Sequence, residues 1–261
     1  MILENSSRKH VALALLTAIS CGSFIFLFSA ANNRRVAHRL SARPANSSSV
    51  HTSQAELGIK NVEKLLPRAR RLTLESLQAL AADYSIEPAE LRIAARHIEE
   101  VQTIVLDENL GDKAEVNDDE PTEIRVGTSY ARDLTTDAET MLLLGHELTH
   151  VAARGGNLSE FVERVARRAA RLASVSPAES QREDLACDFI GEQTLRRLLK
   201  SSAINEETAA KQLARALDDD SGDADDANDD VDEEHLGQRV TFKALLALDP
   251  ELRTLLHKSA L

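Results

Sequence analysis

The sequence predicts an α+β fold that is mainly helical, with a small β-sheet packed on one central helix. Three observations carry this. Aromatic residues make up only 3% of the chain and Trp is absent, so the core is built from Leu, Ala, Val and Ile, and Ala and Leu are strong helix formers. Apolar residues recur at three- and four-residue spacing in several segments, as on one face of a helix. Two short β-rich runs, 101–106 and 124–126, precede the segment that carries the most distinctive motif. A chain of 261 residues accommodates one catalytic-sized domain with appendages.

Residues 1–39 hold the uncharged apolar run 11–30, preceded by Arg8 and Lys9. Twenty residues at 1.5 Å rise span about 30 Å, the thickness of a bilayer's hydrocarbon core. The run reads as a retained membrane anchor, with cleavage near Ser29-Ala30-Ala31 as the alternative. A lipid attached at Cys21 fits less well, because the apolar run continues from Phe24 to Phe28. Arg34, Arg35 and Arg39 follow the run, so flanking charge leaves its orientation open. Residues 40–60, with Pro44 and Asn46-Ser47-Ser48-Ser49, read as a flexible linker.

The main domain is expected over 61–217. Helices are predicted at 73–83 and 87–100, the second with Pro88 in its first turn and Ile86, Leu91, Ala94 and Ile98 at helical spacing. Strands at 101–106 and 124–126 flank a polar, turn-like stretch at 107–121. Thr136 followed by Glu139 is a capping box that starts a helix near residue 137, and Gly155-Gly156 ends it. Asn157 and Glu160 suggest a capped start for a helix over 158–174, with Phe161, Val165 and Leu172 on its apolar side. Helices at 178–200 and 201–217 follow. The run 218–234 holds 11 Asp or Glu and no Lys or Arg, which predicts disorder. It does not meet the spacing of a calcium-binding EF-hand loop. Two short helices, 239–248 and 250–258, close the C-terminal segment 235–261.

The formal net charge is −12, and the acidic run accounts for nearly all of it. This balance argues against nucleic acid as a partner. The two cysteines, Cys21 and Cys187, lie in different environments, so neither a disulfide framework nor a cysteine-based zinc site is expected.

The motif is Gly145-His146-Glu147-Leu148-Thr149-His150, which contains HExxH. On a helix, His146 and His150 share a face and can bind one metal ion, with Zn2+ the usual choice for two imidazoles and a carboxylate. Glu147, one step round the helix, is placed to take a proton from a water activated by the metal. A third ligand is needed. Gly156 occupies the position where a metzincin carries a further His. The candidates are Asp184 and, with a longer reach, Glu183. Asp188 lies four residues after Asp184 and is expected to hold a ligating His by its second ring nitrogen.

The region from about 101 to 195 resembles the gluzincin metallopeptidases. It is most similar to the compact group of CAAX prenyl proteases, heat-shock membrane peptidases and minigluzincins. The resemblance rests on the run from Asp137 and Glu139 through Leu143-Leu144-Gly145-His146-Glu147-Leu148-Thr149-His150, and on Cys187-Asp188-Phe189-Ile190-Gly191. The family's Glu position falls on Asp184, with Glu183 one residue early. The resemblance implies a minigluzincin-like core and a zinc endopeptidase acting on protein or peptide substrates; with the N-terminal apolar segment, the expectation is a protein anchored to a membrane or secreted, acting near that membrane with an extracytoplasmic catalytic domain. It further implies that the strand Ile124 to Thr128 pairs with an extended peptide, and that a His or Tyr assists the reaction, with Tyr130, His235 and His257 as candidates. The alternative is an inactive module of the same fold that binds a partner; the presence of Glu147 argues against it.

Overall fold

The computed structural model describes residues 47–117, 122–154, 158–218, 236 and 238–259. The expected anchor, the acidic stretch beyond Asp218, Gly155, Gly156, Asn157 and His235 lie outside the described residues. The chain divides into two compact units, Met1–Ala45 and Asn46–Leu261, and the second carries the described structure. No described helix is long and apolar enough to cross a membrane.

The second unit is mainly helical with a small mixed sheet. Helix α1, Ser47–Tyr84, runs for 38 residues and takes in the second half of the expected linker. Its extent follows from the apolar spacing of Ala55, Val62, Leu65, Leu66, Ala69 and Leu72, all buried. The serine-rich stretch and Pro67 concealed this continuity. Pro67 removes one ladder hydrogen bond, yet the helix continues through it. Helix α2, Pro88–Glu100, starts where Glu87 and Glu90 form a reciprocal cap.

Strands β1 (Thr103–Asp107), β2 (Ala114–Val116) and β3 (Glu123–Gly127) form a sheet of order β1-β3-β2. β1 runs parallel to β3, with Ile104 beside Ile124, and β2 runs antiparallel, with Glu115 beside Arg125. β2 falls in the stretch expected to be only turn. It is three residues long, and its pairing with β3 rather than its own composition makes it a strand. β3 therefore has both edges occupied, which overturns the expectation that Ile124 to Thr128 pairs with a peptide. Thr128 has already left the sheet and opens helix α3, Thr128–Asp133.

Helix α4, Asp137–Ala153, carries the motif. Its capping box is complete: the Thr136 Oγ1 accepts from the Glu139 N–H at 3.2 Å, and Glu139 Oε2 accepts from the Thr136 N–H at 2.8 Å. Met141, Leu143, Leu144, Leu148, Val151 and Ala152 are all buried, so α4 is a core helix, and its half-buried positions, Glu139, Leu142, His146, His150 and Ala153, share one face. Around it lie α1, α2, β2 and α6, Glu179–Ser201. Helix α5, Ser159–Ala173, begins at Leu158 in a left-handed conformation with no side-chain cap, rather than at the expected Asn157 cap. Its buried stripe is Phe161, Val165, Ala166, Ala169 and Ala173, while Leu172 lies off it and is exposed. Helices α7 (Glu206–Asp218), α8 (Gln238–Leu248) and α9 (Pro250–Ser259) complete the unit, with α8 on α5 and α6 and α9 on α7. The C-terminal helices thus belong to the same compact unit as the motif helix.

α4 and α6 touch backbone to backbone. A Cβ on Gly145 would meet Gly191 Cα at 2.8 Å and Thr194 Cβ at 3.0 Å, and one on Gly191 would meet the Leu142 carbonyl oxygen at 2.9 Å. Both contacts are closer than real Cβ atoms tolerate without backbone movement. Gly145→Ala is expected to lower the melting temperature by roughly 5 °C or more through this overpacking. An unchanged melting temperature and unchanged metal affinity would show that the crossing is looser than described.

α6 also anchors the C-terminal helices. Arg196 donates to Asp249 and Glu251, and its Nε stands 3.5 Å from Glu192 Oε1. Asp249 Oδ1 in turn accepts from the N–H groups of Glu251 and Leu252, capping α9. Three carboxylates thus share one guanidinium, and burial pushes the fully enclosed Glu192 up to about 8, only partly offset by Arg196. A carboxyl raised in the folded state stabilises the fold fully below its ordinary value near 4.5, and that contribution is lost as pH rises to about 8. Glu192→Gln stays neutral at every pH. The melting temperature of the natural chain should therefore fall relative to this variant, by roughly 5 °C, between about pH 5 and pH 8. A pH-independent difference would mean that Arg196 keeps Glu192 ionised throughout.

Candidate metal centre

Two helices build the centre. On α4, His146 and His150 lie one turn apart, with ring centroids 4.8 Å apart. On α6, Asp184 and Asp188 share a face, as do Glu183 and Cys187. The Gly145–Gly191 contact brings these faces together. The two glycines, with no side chain between the backbones, allow the close approach.

The four carboxylate and imidazole groups interlock. His146 Nδ1 lies 2.8 Å from Asp188 Oδ1, and His150 Nδ1 lies 2.9 Å from Glu183 Oε1. An ionised carboxylate only accepts, so each Nδ1 carries the hydrogen and each neutral ring keeps its lone pair on Nε2. The two Nε2 atoms face each other at 3.1 Å, and Asp184 Oδ1 lies 3.0 Å from that of His150. Three acceptors therefore converge with no hydrogen between them. Such a group needs a cation, either protons or a metal ion. Two ligands about 2.1 Å from a tetrahedral centre stand about 3.4 Å apart, so the observed spacing fits a small divalent ion. One ligand atom from each of His146, His150 and Asp184 lies within 4.8 Å of the others, and these residues can hold a metal ion.

The electrostatics agree. Burial alone would push both histidines down, but their neighbours outweigh it. Asp188 and Glu147 raise His146, and the Cys187 sulfur, Asp184 and Glu183 raise His150.

Glu147 is buried, 4% exposed. Burial pushes its carboxyl up, His146 and His150 pull it back down, and Asp184 and Glu115 of β2 push it up again. It lies within electrostatic reach of both the histidine pair and the edge strand.

The structure brings His146, His150, Asp184, Glu183, Asp188 and Glu147 into one neighbourhood. It puts Asp184 on the histidine Nε2 side and Glu183 on the far edge of the His150 ring. Of the candidate helpers, Tyr130 lies on α3, its N–H bonded to the Gly111 carbonyl, and His257 is exposed on α9. The sequence reading expected no part for cysteine at a metal, yet Cys187 is completely buried against His150. Burial pushes its thiol up to about 12, with His150 opposing. Its spacing of four from Glu183 was the signal available in the sequence.

With Asp184 on the Nε2 side of the histidines, Asp184→Ala is expected to abolish stoichiometric metal binding. Asp188→Ala and Glu183→Ala each remove a group that orients a ligating ring, and should weaken binding roughly 10- to 100-fold. Binding at pH 7 should release protons, read by calorimetry in buffers of different ionisation enthalpy. Equal losses in the three variants would contradict the assignment of Asp184 as the ligand.

Comparison of the chain with protein-family models, curated proteins and solved structures finds no match.

Proposed function

We propose that this chain is a zinc-dependent endopeptidase that cleaves protein substrates at or near a membrane, with Glu147 as its general base. The observation that carries the reading is the pair of Nε2 atoms turned toward each other and Asp184 while both Nδ1 atoms are tied to carboxylates. Carboxylates set both ring tautomers for metal binding, an arrangement typical of metal-ligating histidines. Two imidazoles with one carboxylate at tetrahedral spacing suit zinc, and three protein ligands leave a position open.

A zinc ion held there would supply a Lewis acid that makes water acidic near neutral pH and polarises a peptide carbonyl. The chain's own residues do the rest. Glu147, raised toward neutrality by burial, takes a proton from the attacking water and can return it to the departing amine. His146 and His150 are kept from turning by Asp188 and Glu183. The edge of the sheet nearest Glu147 is β2, whose Glu115 is felt by Glu147. An extended peptide would pair with β2, in place of the central β3, for two or three residues. The apolar run 11–30 supports action at a membrane. The likeness to compact gluzincins supports peptide hydrolysis, and the glycine crossing explains how an Asp can stand where that family has a Glu.

Glu147→Gln is the deciding variant. It should keep one zinc per chain and lose peptide hydrolysis by on the order of a hundredfold or more, because an amide cannot accept the water's proton. Cleavage at the natural rate by this variant would rule out the reading of Glu147 as base.

A further inference from the structure

His150 faces donors on both edges of its ring. Nε2 faces His146 and Asp184, while Nδ1 faces Glu183. The Cys187 sulfur joins the second group: one ligand atom from each of His150, Glu183 and Cys187 lies within 4.8 Å of the others. Glu183 and Cys187 are four residues apart on α6, so one helical face presents both to the ring. The Glu183 side chain is 48% exposed and Cys187 is 0% exposed. The group therefore opens to solvent at a carboxylate and has sulfur at its inner end.

We propose that His150 Nδ1, Glu183 and Cys187 form a second metal site, for a thiophilic divalent cation such as Zn2+ or Cd2+, whose filling excludes metal from the His146–His150–Asp184 centre. The donor set selects the cation. A sulfur, an imidazole nitrogen and a carboxylate oxygen suit zinc and cadmium, whereas Mg2+ and Ca2+ gain little from sulfur. The exclusion follows from the ring. A neutral imidazole offers one lone-pair nitrogen at a time. While Glu183 accepts the Nδ1 hydrogen, the lone pair is at Nε2 and serves the first centre. A cation on Nδ1 leaves the hydrogen on Nε2, where the first centre cannot use it. On filling the second site, the Nδ1 hydrogen is lost to solvent and Nε2 gains one. The Cys187 thiol gives its proton to solvent and binds as thiolate, so one proton is released per ion. Glu183 changes role, from holding the ring to ligating the ion. Only the consequence rests on the peptidase reading: zinc in excess becomes an inhibitor.

The test uses the full chain carrying Cys21→Ser, so that Cys187 is the only thiol. The protein is loaded with zinc and titrated with Cd2+. The ultraviolet thiolate-to-cadmium band should grow and saturate near one ion per chain, and zinc, counted by mass spectrometry after desalting, should leave in step. Cys187→Ala on the same background should show no band and keep its zinc at the same cadmium concentration. Glu183→Gln, which leaves the buried thiol in place, should weaken the band's affinity roughly tenfold or more. No band in the Cys21→Ser chain, or a band that survives Cys187→Ala, overturns the site. A band that saturates while zinc stays bound overturns the exclusion. Neither readout uses turnover, so a chain without peptidase activity still decides this proposal.

Discussion

Where α4 and α6 cross, the Cα of Gly191 stands 2.8 Å from where a side chain on Gly145 would begin. Everything at the candidate centre depends on that contact. An aspartate reaches less far than a glutamate, so Asp184 meets His150 Nε2 at 3.0 Å only if the two helix axes lie unusually close. The same closeness places Asp188 and Glu183 against the outer nitrogens of the two rings. The contact acts through geometry, and its stability comes from the apolar surroundings: α4 packs against α1, α2, α6 and β2, and most side chains along it are buried.

The centre itself is an electrostatic conflict that only a cation resolves. Two imidazole lone pairs and a carboxylate oxygen converge in a semi-enclosed space, with the buried carboxyl of Glu147 close behind. The surrounding carboxylates and the Cys187 sulfur raise both histidines despite burial. His146, His150 and Asp184 together could hold a metal ion, which would satisfy three acceptors at once. Cys187, buried against the same ring, adds a sulfur to the groups that surround His150.

A different balance operates at the far end of α6. There Arg196 ties Asp249 and Glu251 to the helix, Asp249 caps α9, and the buried Glu192 is left with a share of a guanidinium already engaged. One helix thus carries the ligand at its start and the attachment of the C-terminal helices near its end. This explains why the C-terminal segment belongs to the compact unit although the sequence reading had separated it by an acidic run.

By itself the sequence determined the motif helix and its start. Thr136 and Glu139 cap locally, and His146, Glu147 and His150 are placed by helical periodicity alone, which needs no information from distant residues. The pairing of Asp184 with Asp188 was legible for the same reason. Three things were settled only by tertiary structure. The length of α1 depends on burying Ala55, Val62 and Leu66 beneath neighbours that local propensity, dominated by serines and a proline, does not see. The strand β2, and with it the closure of both edges of β3, exists only through pairing with a partner. The division of labour between Asp184 and Glu183, adjacent in the chain, is set by which edge of the His150 ring each meets. That depends on the separation and rotation of two helices, fixed where two glycines remote from each other in sequence let the backbones touch.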